Sequence, residues 1–416
     1  MPDESKRYRE LTPASVAATI MVAWLLAIPL STAIAEILLM SGVIISLFAR
    51  TRTGTDDSWP VGWRSLLRGG PDSRLVPWLW TAFLVWYFVS VVFGTEPAKG
   101  LESIPKLVRY ALFFVPLAVP WQNWHWRTAF WVQVLLTAIL GSMAIDAMSA
   151  GVQRAATQNL HYNTLAQVTA MSSLLLLAAS LYGPSSARRE RLLFFLGSVV
   201  SAAVMVLTLS RAAWLAWWLG VIVLVLFRIP RRVALVTLSV LILLPLLAIP
   251  TMQATRADMF DLDHPEFTRR YDMWRMAIAI VKDHPLTGLG PGGMGVVYDE
   301  YKTGVLVDDP RVWLTSHNDL LTVAVRHGIP AAVIWAGLAA IMYVSLVRRL
   351  WRFQSSPGSW LKAGFAGAGA CLHLFFLFGL VHDNYNIFLK INLLLLLWGV
   401  FVAADRSLAL TPRDDA

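Results

Sequence analysis

His317 stands in the run Ser316-His317-Asn318-Asp319, directly ahead of a long apolar stretch. Ser316 and Asp319 have the spacing of a capping box, which predicts a helix that starts here. The N-terminus of a helix carries partial positive charge, which disfavours an imidazolium and keeps His317 neutral. A neutral imidazole is what a general base requires near pH 7. Arginines supply a second chemistry. Arg211 lies in a very tight turn between two apolar stretches, Thr208-Leu209-Ser210-Arg211-Ala212, where a charge is costly and usually serves a purpose. Arg270 and Arg275 flank Trp274 in a segment of helical spacing. Planar guanidinium forks match phosphate oxygens, so a diphosphate is a natural common partner for all three. Each residue also has a plainer role: His317 as a cap, Arg211 as an interfacial anchor, Arg270 and Arg275 as a solvated helix face.

Other motifs carry less. Gly288-Leu289-Gly290-Pro291-Gly292-Gly293 fits G-x-G-x-x-G, but it follows a predicted helix rather than a strand, so a flexible turn is expected instead of a dinucleotide site. The eight histidines are scattered, with no H-E-x-x-H and no carboxylate cluster of ligand spacing, so no metal site is expected. The lone Cys371 permits no internal disulfide and no cysteine-based zinc site.

The elements that must position these residues are set by composition. The chain has 416 residues, 57% hydrophobic and 15% charged, with a mean hydropathy of +0.58, too apolar for a water-soluble globule. An all-α integral membrane protein of about 12 transmembrane helices is predicted. The spans fall near 14–30, 32–49, 77–94, 104–120, 128–147, 160–182, 192–209, 212–228, 233–250, 319–347, 362–381 and 387–404. The charged start, MPDESKRYRE, runs into an apolar segment without a small-residue cleavage site, so a first span is expected rather than a removed signal peptide. Lys and Arg total 35 against 26 Asp and Glu. They gather in every second loop and at both ends, which predicts cytoplasmic termini and an outward-facing Arg211 turn. Trp59, Trp63, Trp78, Trp121, Trp124 and Trp126 cluster near span ends, as interfacial anchors do.

One connection departs from the short-loop pattern. Residues 251–316 form a charged outer loop between spans 9 and 10, dividing the chain into 1–250, 251–316 and 317–416. So long a loop reads as functional. Phe267, Tyr271, Trp274, Ile278 and Val281 recur at helical spacing, predicting an amphipathic helix near 266–283 that Asp283-His284-Pro285 and the glycines end.

A resemblance gathers these landmarks. His317-Asn318 followed by nine residues and Gly328 resembles the H-[NSQ]-x9-G signature of bacterial O-antigen ligases and their relatives. Arg270 to Trp274, then Asp283-His284-Pro285-Leu286-Thr287-Gly288-Leu289-Gly290, is similar to their R-x3-W…HPL-x-G-x-G segment. Leu209-Ser210-Arg211 resembles the family's S-R turn, and Asn159 to Asn163 its Asn-containing segment before a span. After Gly328 the pattern departs: Ile329-Pro330-Ala331 stands where many relatives carry a further small residue.

The resemblance implies a GT-C-like glycosyltransferase with one large periplasmic loop between spans 9 and 10. It implies transfer of a glycan from undecaprenyl diphosphate to lipid A-core oligosaccharide at the outer face of the inner membrane, in lipopolysaccharide biosynthesis, with no metal and no cofactor. His317 would then be the base; Arg211, Arg270 and Arg275 would hold the diphosphate; Asn318, Asp319, Asn163 and Trp274 would support them. Direct displacement would invert the anomeric centre. The alternatives within the superfamily are an O-antigen polymerase and a protein O-oligosaccharyltransferase. From other classes, a lipid-linked sugar transporter would use charges such as Glu36, Arg109 and Asp146, and a membrane assembly scaffold would use none.

Overall fold

Apolar runs of about twenty residues fold as helices because a helix satisfies its own backbone polar groups where no water can. The computed structural model describes residues 70–104, 108–114, 116–118, 121–151, 155–156, 161–228, 265–384 and 388–410. The regular elements among them are all helices, with no strand. In chain order the helices are α1 (Val76–Phe93), α2 (Pro97–Leu101), α3 (Asn123–Ser149), α4 (Tyr162–Tyr182), α5 (Arg188–Leu207), α6 (Arg211–Leu226), α7 (Pro265–Asp283), α8 (Met294–Tyr301), α9 (Asp319–Phe353), α10 (Trp360–Gly379) and α11 (Phe388–Leu410).

Seven of them, α1, α3, α4, α5, α9, α10 and α11, are long and apolar enough to cross a membrane, and α6 is a shorter apolar helix. The protein is an integral membrane protein. These eight match eight predicted segments. The segments expected at 14–30, 32–49 and 233–250 lie outside the described residues, as do Trp59, Trp63 and Glu36. The expected span near 104–120 differs: its described part forms two short 3-10 turns, Val108–Phe113 and Pro116–Ala118. Proline at 116 cannot donate in a continuing helical ladder.

Two helices form the centre of the bundle, α4 and α10, with 78% and 83% of their apolar windows buried. Small residues on α10 permit this. Gly367 meets Leu175 and Ala178 of α4, while Gly369 meets Leu346 of α9 and Phe401 of α11, the close approach that replaces hydrophobic driving force between membrane helices. Hydroxyls and amides add interhelical bonds: Ser172 donates to Gln133 at 2.7 Å, and Trp217 donates to Ser173 at 2.9 Å. Trp121 and Trp126, expected as interfacial anchors, are instead buried, whereas Trp78 is exposed.

The two ends of the bundle differ. At one, Arg349 of α9 pairs with Asp405 of α11 at 2.6 Å and with Asp72 at 3.2 Å, and Ser73 donates to Asp405 through both its backbone and its hydroxyl. The other end gathers the starts of α4, α6, α9 and α11, the close of α10, and the packed loop.

The loop helix α7 spans Pro265–Asp283, close to the predicted 266–283. Its buried side is not the predicted stripe. Met273, Met276, Ala277 and Ile280 join Leu289, Met294, Tyr298, Leu306 and Val325 in a second small core. Phe267, Tyr271 and Trp274 line an adjoining cleft, and Tyr271 and Ile278 remain 60% and 45% exposed. The helix has two apolar faces, and the methionine-rich one fits the loop's own interior. Because Val325 belongs to α9, this core crosses the boundary expected at residue 316.

Candidate active site at the loop end of the bundle

The site is held by a break in α9. At Gly328 the backbone takes φ +80° and ψ 174°, and Pro330 follows two residues on. Both features interrupt helical hydrogen bonding. The glycine segment occupies the gap: Leu289 N donates to Val325 O at 2.8 Å, Gly290 N to Arg326 O at 2.9 Å, and Ile329 N to Pro285 O at 2.8 Å. Gly288 and Gly290 themselves have φ +63° and +76°, which is why this segment is glycine-rich. A side chain at position 328 would strike the Leu286 backbone. The G-x-G-x-x-G match is thus a seam between loop and span, as the turn interpretation required.

At the other end of this helical piece sits His317, whose φ is +51°. Among the described residues the only other non-glycine with positive φ is Leu209, in the Ser-Arg turn. Such backbone costs about 1–3 kcal/mol and persists where its surroundings impose it, often at functional sites. The imposing contacts are visible here. Asn318, not Ser316, caps α9: its side-chain oxygen accepts from Leu321 N at 3.0 Å, and its Nδ2 donates to Leu380 O at 3.0 Å. Ser316 is buried and donates to Asn318 O at 2.8 Å, with Thr322 Oγ1 2.9 Å away. The cap is therefore shifted by two residues and is a single Asn cap rather than the expected box, because the turn consumes Ser316. His317, between these two anchors, is left with the strained backbone.

The His317 ring packs against Trp313 and, edge to face, against His382, with centroids 5.5 Å apart. Its Nδ1 is buried without a hydrogen-bond partner. Burial lowers its pKa below the ordinary value, the Arg270 charge lowers it further, and Asp383 opposes. The expectation of a neutral imidazole thus gains a physical cause beyond the helix end.

His382 belongs to the connection between α10 and α11 and is fixed on three sides. Its Nδ1 accepts from Asp383 N at 2.8 Å, its Nε2 is 2.9 Å from Asn163 Nδ2, and Phe378 stacks on its ring at 4.8 Å. Burial, then the charge of Lys390, holds its pKa well below the ordinary value. Asn163, in the first turn of α4, also receives the Ser210 hydroxyl at 2.9 Å. Asp319 accepts from Asn384 N at 2.7 Å, and the Asn384 side chain donates to Phe375 O and accepts from Gln167.

The arginines divide. Arg211 opens α6 beside Ser210 and lies over the Phe267 ring of α7 at 4.8 Å. Arg270 lines a cleft of about 390 Å³ with Phe267, Thr268, Tyr271, Trp274 and Val381, and its charge acts on both His317 and His382. The Trp274 Nε1 is buried without a partner. Arg275 points elsewhere: it pairs with Asp272 at 4.0 Å, stands over Tyr271, and its side chain is 58% exposed.

The structure therefore brings His317, Asn318, Asp319, Asn163, Arg211, Arg270 and Trp274 to one end of the bundle and leaves Arg275 outside that cleft. His382, Asp383, Asn384 and Lys390 complete the cluster; of these, sequence reasoning singles out only Asp383, as an alternative base should His317 not serve. Their signal was available: His382-Asp383-Asn384 is a polar triplet between two apolar spans, and Lys390 is a cation in the first turn of the last one. Among the described residues no group of three or more His, Cys, Asp or Glu could hold a metal ion.

Comparison with known proteins agrees with these landmarks. A family model described as O-antigen ligase matches residues 196–336, a stretch holding the Ser-Arg turn, α7, the glycine seam, His317 and Gly328. No curated protein matches the chain. Over these residues the chain is similar to the O-antigen ligase family.

Proposed function

We propose that the protein transfers a glycan from undecaprenyl diphosphate to lipid A-core oligosaccharide at the periplasmic face of the inner membrane. The observation that carries this reading is His317, an imidazole whose Nδ1 is buried without a partner beside the cleft that Arg270 lines. An unpartnered basic nitrogen next to cations suits a reaction that takes a proton and releases a diphosphate. An acceptor hydroxyl attacks the anomeric carbon, forming the new glycosidic bond. His317 takes the hydroxyl proton as the bond to the diphosphate oxygen breaks. The leaving diphosphate keeps the electron pair, with Arg211 and Arg270 bearing its charge. Attack from the face opposite the leaving group inverts the anomeric centre.

The site's position at a bundle end allows two lipid-tethered substrates to enter from the membrane. Polymerase and protein-glycosylating activities differ from this one in the acceptor alone, so the test must vary the acceptor. Purified protein in nanodiscs, given lipid-linked glycan donor and lipid A-core, should form product in the presence of EDTA, and His317→Ala should not. Product with a glycan or peptide acceptor but none with lipid A-core would replace the ligase assignment. A strict requirement for a divalent ion would overturn the mechanism.

A further inference from the structure

Lys390 lies in the first turn of α11, 1% exposed, and its Nζ has no hydrogen-bond partner. What it does have is the face of Phe378, 4.7 Å from Nζ to the ring centroid, and Phe378 in turn stacks on His382. The ammonium is therefore one ring away from the histidine pair. A cation–π contact offsets only part of what burying an ion costs. Asp319 and Asp383 act on Lys390 electrostatically, yet neither hydrogen-bonds its Nζ. All three ammonium protons thus lack an acceptor.

Charge points the same way. The charges of Arg270, Lys390 and Arg269 act on His317 against that of Asp383, and those of Lys390 and Arg270 act on His382. Arg269 is already matched by Asp309 at 3.2 Å. Lys390 Nζ has no hydrogen-bond partner, in a setting where an uncompensated charge is expensive.

We infer that Lys390 is a third cation of the donor site, its Nζ donating to a phosphate oxygen of the bound diphosphate. The inference rests on the proposed polyprenyl diphosphate donor, and it assigns Lys390 as a ligand-contacting residue rather than a strut. A strut and a ligand contact respond oppositely to substitution. If the buried charge waits for a ligand, removing it relieves the empty protein and harms only binding. If it holds Asp319 and Asp383 in place, removing it harms the fold and spares affinity.

The test uses full-length protein in phosphatidylcholine nanodiscs, titrated with undecaprenyl diphosphate and with undecaprenol. Wild type should prefer the diphosphate. Lys390→Gln should lose about tenfold or more in diphosphate affinity, with undecaprenol affinity and melting temperature unchanged or the latter raised. Lys390→Met, of matching length, should behave alike. Diphosphate affinity within twofold of wild type in a folded variant would overturn the inference, as would failure of both variants to fold. Wild-type protein that binds the alcohol as well as the diphosphate would instead overturn the proposed donor itself. Phosphatidylglycerol should not displace the diphosphate; displacement that depends on Lys390 would make this a lipid-headgroup site and also overturn the inference.

Discussion

His317 and His382 meet edge to face across the loop end of the bundle, His382 buried and His317 half-buried, each held neutral. The two rings come from the start of α9 and the close of α10, so packing of these helices sets their angle. Only His317 retains a ring nitrogen, Nδ1, that is buried without a partner; both nitrogens of His382 are engaged.

From that asymmetry, His317→Ala should lower transfer by about 10²–10⁴-fold, the usual range for a lost general base, while leaving the melting temperature near that of wild type. Alanine adopts the left-handed backbone of position 317 somewhat less readily than histidine, a cost too small for a gross folding defect. Transfer within about threefold of wild type would assign the residue to the turn alone.

The arginines should separate. Arg211→Lys and Arg270→Lys keep charge but lose the planar fork, and each should reduce transfer about tenfold or more. Arg275→Lys should stay within about twofold, because its partner is the exposed pairing with Asp272. Equal losses at all three positions, measured with purified donor, would contradict the division.

The pH profile follows from the direction of the shifts. Both histidines titrate below their ordinary value of about 6.5, so His317 is a competent base throughout the neutral range. The transfer rate should be flat above about pH 6.5 and fall only as acidity reaches the lowered pKa. Stability follows the same sign: below about pH 6.5 the unfolded chain binds protons that the folded one does not, so the melting temperature should decline there. A rate that rises on acidification would exclude a neutral imidazole base.

Gly328→Ala should destabilise by at least about 2 kcal/mol, since it adds left-handed strain to a collision with the Leu286 backbone. Thermal melts of the detergent-purified variant check this. A normal melt would mean that the seam can shift aside.

Much of this arrangement was legible in the sequence. Eight of the spans followed from hydropathy because membrane helices must be long and apolar, and α7 followed from apolar spacing. Position 317 stood out because a histidine next to a helix start has defined electrostatics. Three matters were not legible. The cap moved from Ser316 to Asn318 because the turn's tertiary contacts outbid the local pattern. The buried face of α7 could not be chosen from periodicity, since both faces are apolar. His382 and Lys390 joined the site through packing of distant segments, which no local spacing encodes.

The three backbone bonds that splice residues 285–290 into the break of α9 make the loop and the membrane helix one continuous mechanical piece. An insertion or tag placed between Leu286 and Gly290 would therefore unseat a span as well as a loop. Chimeras that exchange this loop between relatives will assemble only when the first turns of α9, through Gly328, travel with it.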